Sequence, residues 1–555
     1  MRKTIIAIAC CIVLLLLGYA GFRGYKVWKQ NHWLVMAKNF AAKDDARNEV
    51  LCLQQLLRLN PRNLEACRMM AELTEAVRSP SALIWRQRTL ELNPNSITDR
   101  LALVQTAVTF KDYATATNAL AGVSKADQKS PLYQNLAGVI AISQGQVAEA
   151  AQHFSEAAQL DPGNPAPRLN LAVVHLHGSN SLDQAEARIE LKRISMDATN
   201  FTMRCQAARE LIGDAIQTKD YSTALALSQQ LVQPTNAFFT DKLLRLDVLR
   251  KAENPNLKAA TTQYQREAAT NIAEVAEMST WLMTRSSPAA ALTWLHTLPA
   301  SIQTNQPAAL LIATCQVLEN DWNGLQSSLA KQNWAEQDFA RHAFLARALR
   351  GQKLDGAATA EWEIAFRYAS NQKGTLIALF RLAAQWNWID EGEEVLTTIV
   401  NRYPDEPWAA QSLQQALIMG GRTRSLMQLF AVEAGRNPAD LEIKNNLAMT
   451  AMLLGDQDQK PYVLAHDVYE KMPQNPSYAS TYAYSLYLQK QYAEALKVMQ
   501  KLTPKQLSDP SIAGYYGLIL QATGDNEKAK SYLGWTSKAK LLPEEQKLFQ
   551  QALNR

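Results

Sequence analysis

The sequence is poor in glycine, with 22 among 555 residues, and it has no long alternating runs of β-branched residues. Both absences argue against a sheet domain and favour helix. No HExxH, GxxxxGKS, GxGxxG or GxSxG stretch occurs, so the signatures of zinc proteases, phosphate loops, dinucleotide folds and serine hydrolases are missing. Six cysteines are present without a CxxC pair, which excludes the usual zinc and thioredoxin-like spacings. Cys10 and Cys11 lie in an apolar N-terminal run, while Cys52, Cys67, Cys205 and Cys315 are scattered along expected helices and read as small buried hydrophobes. A Cys52–Cys67 disulfide is the alternative in an oxidising compartment. Strong charge is also absent. The 57 basic and 52 acidic residues leave a net +5, and no arginine-rich patch is interleaved with aromatics, so nucleic acid is not an expected partner.

What remains is an ordinary globular hydrophobic content of 47% on a chain too long for one core. Several domains or a repeat array must therefore divide it. Chemistry-bearing groups do not converge. His175 and His177, in VVHLHG, sit two residues apart and point apart on a helix, which makes them poor joint metal ligands. The acidic clusters IDEGEE (389–394) and KDDARNE (43–49) fit solvated turns or helix starts. No catalytic residue, cofactor or metal is expected.

The chain opens MRKTIIAIACCIVLLLLGYAGFRGYKVWK, and residues 4–22 carry no charge. As a helix they would span roughly 28 Å, near a bilayer's hydrocarbon thickness. Basic residues flank the run on both sides, and Trp28 and Trp33 suit an interface. A single membrane anchor is the expectation, in a bacterial inner membrane with the remainder extracytoplasmic. A cleaved signal peptide, with Gly18 and Ala20 before the cut, is the alternative.

After the anchor the chain keeps a beat. LLRLNPRN, TLELNPNS and AAQLDPGNP place Pro61, Pro94 and Pro162 at steps of 33 and 68 residues, and Pro404 to Pro438 is 34. Between them Ala290, Gly324, Ala358 and Gly392 step by 34 each time. Such a period signals stacked helix–turn–helix units. GQVAEAAQHFSEAAQLDPGNP (145–165) shows the chemistry of one. Gly138 and Ala150 let two antiparallel helices cross closely, and Gly145 makes the turn. Phe154 and Ala157 extend the same face, and Pro162 stops the second helix. SIAGYYGLILQATGDNEKAKSYL repeats these offsets with Gly517, Gly524 and Ala529.

These segments resemble tetratricopeptide repeats, whose pattern is W-x-x-L-G-x-x-Y, then G, then A-x-x-x-F-x-x-A, then P. The first-helix tryptophan is absent from the aligned units at 131–164, 441–475, 476–509 and 510–543. Spacing drifts at 235–285, and QDQKP (457–461) reads as an insertion in a turn. The resemblance implies an all-α fold, a right-handed α-solenoid of about 15 units with a concave wall, preceded by one transmembrane helix. The expected blocks are 1–30 for the anchor, 31–234 for N-terminal repeats, 235–372 for a degenerate middle and 373–555 for C-terminal repeats. LLPEEQKLFQQALNR is expected to form a terminal helix over the last hydrophobic face.

Two features suggest where a partner would bind. Asn170 in LNLAVV and Asn446 in NNLAMT occupy a first-helix position that in the family often faces the groove, where an amide can hold a peptide backbone. Eight of twelve tryptophans fall between 281 and 408. Trp294 and Trp362 follow a crossing position by four residues and read as core, whereas Trp386 and Trp388 flank a turn, an arrangement that suits an aromatic wall for peptide or glycan. The lysines, arginine and asparagine of a chaperone-tail clamp are absent around Asn446. The function implied is a membrane-anchored scaffold for protein–protein interaction. The alternative is a component of envelope assembly, in polysaccharide export, secretion or translocon quality control.

Overall fold

The computed structural model describes residues 23–197 and 200–554. Among them every regular element is a helix and there is no strand. The apolar run 4–22 lies outside the described residues. Among those described, no helix is long and apolar enough to cross a membrane. The described residues divide into two compact units at Glu267/Ala268, within the expected middle block of 235–372.

Each unit is a succession of helical hairpins. In the first, Ser130 caps the helix Pro131–Ser143 by accepting from the Tyr133 amide, and Pro131 occupies the first position, where its missing N–H costs nothing. Gly145 turns the chain at φ +77°. The helix Val147–Leu160 then returns across the first. A methyl added to Gly138 would lie 2.5 Å from the Phe154 ring, so the absence of a side chain there sets the crossing distance. Ala150, Phe154 and Ala157 are all buried. Asn164 caps the following helix, Pro165–Leu176, through the Ala166 amide.

The second unit uses the same construction. Gly517 faces Leu533 and Ala529 where Pro510–Ala522 crosses Asn526–Gly534, and Gly524 turns at φ +92°. The drifting stretch stays helical, with Phe239–Lys251, Leu257–Ala268 and Ile272–Arg285. One-turn helices at Ala300–Gln303 and Pro504–Leu507 extend two of the links between hairpins. The insertion at 457–461 lies in a long turn from Gly455 to Lys460, both left-handed, before the helix Pro461–Lys471.

Two details correct the regular 34-residue step. Ala358 and Gly392 are buried at their crossings, but at the two earlier beats the buried residues are one position later, Ala291 and Leu325. The reason at Gly324 is local: its amide binds the carboxylate of the cap Asp321, which holds Gly324 in the first turn and hands the inner face to Leu325. Cys52 and Cys67, the candidate disulfide pair, are free and buried, as are Cys205 and Cys315. Burial pushes the Cys315 thiol up to about 11, which keeps it protonated at neutral pH.

Candidate functional site

First helices of successive hairpins stand side by side, so residues about one period apart meet. In the first unit Ile97–Thr109, Pro131–Ser143 and Pro165–Leu176 are such neighbours. A surface cleft of about 570 Å³ opens over the first two, lined by Thr98, Leu101, Gln105, Leu132 and Asn135. Leu132, three residues before Asn135 on the same helix, is 43% exposed in this cleft. An apolar side chain that wet is unspent burial, and its place in a cleft is where a ligand would cover it.

Asn170 sits at the edge of this cleft and donates its Nδ2 hydrogen to Asn135 Oδ1 at 3.0 Å. The amide pair leaves one donor side on Asn135 and one acceptor on Asn170, the combination a peptide backbone needs. Asn135 was not picked out from the sequence. Its signal was its position three residues before the crossing glycine, Gly138.

The same register in the second unit holds Asn445, Ser480 and Gly514, three residues before Ala448, Ala483 and Gly517. Asn446 is half-buried and accepts from Asn445 Nδ2 at 3.4 Å. Asn445 takes the register of Asn135 and is buried with its Oδ1 unpaired, whereas Asn446 stands two residues before Ala448 as Asn170 does before Ala172.

Trp386 and Trp388 are brought together rather than splayed. Asn387 between them takes a left-handed conformation at φ +56°, which swings both indoles to one side, with centroids 5.1 Å apart. Trp388 is buried against Trp362 at 5.4 Å, and the Arg350 guanidinium lies 3.8 Å from its ring centre. Trp386 is half-buried with its edge on Phe344. These faces are used by the core and by arginine, which leaves little aromatic surface for a ligand. Trp294 and Trp362 are both buried, Trp362 four residues after the crossing Ala358 and Trp294 three after Ala291. Arg347 lies between Trp322 and Trp388, where burial and the adjacent Arg350 lower its pKa from the ordinary arginine value.

Residues 141–199 match the protein family described as tetratricopeptide repeat. That segment carries the repeat's second-helix grammar and the next hairpin. No curated protein sequence matches the chain. Similar solved structures include the APC/C hetero-tetramer Cut9-Hcn1, at 12% identity over 94% of this chain and 96% of that one, with a TM-score of 0.27. Pseudomonas aeruginosa pilF is 15% identical over 41% of this chain and 99% of that one, with a TM-score of 0.32. Naa15/Naa10 bound to HypK-THB is 12% identical over 95% and 78%, with a TM-score of 0.24. Scores this low say nothing about function.

Proposed function

We propose that this chain is a non-catalytic scaffold that holds an extended segment of a partner protein in the inner groove of its first unit. The observation that carries the reading is the open cleft lined by Leu132 and Asn135, with Leu132 exposed in it and Asn170 bonded to Asn135. Leu132 would bury an apolar side chain of the segment, and the paired amides would align its backbone. Replacing Leu132 by Asp and Asn135 by Ala together is expected to weaken partner binding about 10–100-fold, the range for losing a central anchor. Thermal melting should barely move, because the cleft face of Leu132 contributes little to the core. The measurement is a crosslinked pulldown with the full chain and its variant, followed by titration of the captured partner. A partner held equally by both would place binding outside this cleft.

We further propose that residues 4–22 anchor the scaffold in a bacterial inner membrane with the helical units extracytoplasmic. The support is the uncharged run and its basic and tryptophan flanks. Fractionation should find the chain in membranes, a variant lacking 4–22 should be released, and a C-terminal phosphatase fusion should be active. A soluble chain with a processed N-terminus would replace the anchor by a cleaved leader. No observation on the described residues favours envelope assembly over other scaffold roles.

A further inference from the structure

In the second unit the inner groove is already filled, by the chain's own last helix, Pro543–Leu553. A helix that only sealed the end of the array would need to touch the last hairpin alone. This one reaches much further back. Pro543 abuts Gly421, where an added Cβ would lie 2.8 Å from its Cγ, and the Thr423 hydroxyl donates to Glu544. Gly421 and Thr423 belong to the hairpin 407–436, three hairpins before the last. From there the helix runs past Ala448, Met452 and Tyr484 to Tyr515, Leu518 and Phe549's seat on Gly514. The Gln521 side chain donates to the Ala552 carbonyl at 2.9 Å near its other end.

The contact has the form of helix-in-groove recognition. Glu545, Phe549 and Ala552 fall on one face at intervals of four and three residues. Phe549 is the anchor: it is buried, sits edge-on to Tyr515 at 5.1 Å, and fills the space left by the missing side chain of Gly514. Glu545 marks the register, accepting from the Tyr515 hydroxyl and from the Leu542 amide at 2.8 Å. The fit is not perfect. Among the described residues Glu545 forms no ion pair, and burial pushes its carboxyl above the usual range. At the inner-face register beside Gly514, Asn445 Oδ1 and Ser480 Oγ are buried without a hydrogen bond. A buried carboxyl without a cation and two unpaired polar atoms are costs that a better-matched helix would avoid.

We infer that the groove of the last four hairpins is a docking site for an amphipathic helix of a partner protein, and that residues 543–553 occupy it as an internal competitor. The partner helix carries an uncharged hydrogen-bond acceptor at the register of Glu545, where the Tyr515 hydroxyl donates, an aromatic four residues later and a small residue three beyond that, with polar groups that reach Asn445 and Ser480. This site is separate from the first-unit cleft and does not depend on it.

The test uses a fluorescently labelled peptide of residues 541–555 and the full chain. A short tether holds the native helix at about millimolar effective concentration, so the peptide should bind wild type roughly 100-fold more weakly than it binds the Phe549→Ala chain. Adding Gly514→Leu, which fills the anchor's seat, should abolish that binding. A second arm leaves the helix intact: a protease site inserted between Lys538 and Ala539 is cut, and the labelled peptide should then exchange with the released helix while helical content stays constant. A Phe549→Ala chain that keeps its helical content but binds no peptide overturns the inference. So does a cleaved chain that retains its helix without exchange, or that unfolds on cleavage, since the segment would then be a permanent part of the fold.

Discussion

Phe154→Ala is expected to destabilise the first unit by about 3–5 kcal/mol, the range for emptying an aromatic core site. Phe154 is 2% exposed and lies over Gly138 at the crossing of two helices, flanked by the buried Ala150 and Ala157. Removing it opens a cavity that rigid helix backbones cannot close. The reverse error is also informative. Gly138→Ala would put a methyl 2.5 Å from the ring and should cost about 1–3 kcal/mol by overpacking. In a Phe154→Leu background the same methyl has room, so the two costs should fall short of their sum. Urea titrations of wild type, Gly138→Ala, Phe154→Leu and their double variant check this cycle, with Phe154→Ala measured beside them. Additive costs, or an unchanged midpoint for Phe154→Ala, would mean that the two residues do not form the crossing.

The second large effect is electrostatic. Arg209→Met is expected to cost about 3 kcal/mol because it strands Asp241, which is 1% exposed. In the intact chain Arg209 Nε and a terminal guanidinium nitrogen donate to the two Asp241 oxygens at 2.6 and 2.9 Å. The figure is set at the low end for a buried pair because the arginine is 36% exposed and partly screened by water. Arg209→Met with Asp241→Leu should recover most of the loss, since no charge is then left without a partner. Equal losses in the single and double variants would show that Asp241 is adequately solvated by itself. The pair joins the first helices of neighbouring hairpins, 32 residues apart, and Arg68–Asp99 does the same at 31.

These arginine–aspartate links show where reading the chain by itself stops. Asp99 and Asp241 each stand third in a helix, a position that favours an acid through the helix dipole whether or not it is buried. Nothing local distinguishes a solvated aspartate from one that a neighbouring repeat will cover. Trp386 and Trp388 posed a similar problem. They were expected to flank a turn and not to share one helix face, and only the left-handed backbone of Asn387 within that turn showed that the two indoles come together. Asn445 was not picked out beside Asn446, because two adjacent asparagines do not show which one a neighbouring helix will cover.

The hairpins themselves were legible from particular residues. Gly138, Gly145, Ala150, Phe154 and Pro162 act through contacts within one hairpin, so their spacing alone specified two helices, a turn and a stop. The terminal run PEEQKLFQQAL likewise declared a helix through its leading proline and its apolar spacing. Its destination was not declared. The expected cover for the last hydrophobic face proved to lie along the groove as far as Gly421 and Thr423. A groove is assembled from side chains contributed by several hairpins, and no single period contains its shape. The sequence by itself determined the repeating hairpin, because that unit is built from short-range contacts. Only the tertiary structure decided which groove is open and which is filled, because that depends on contacts up to 121 residues apart.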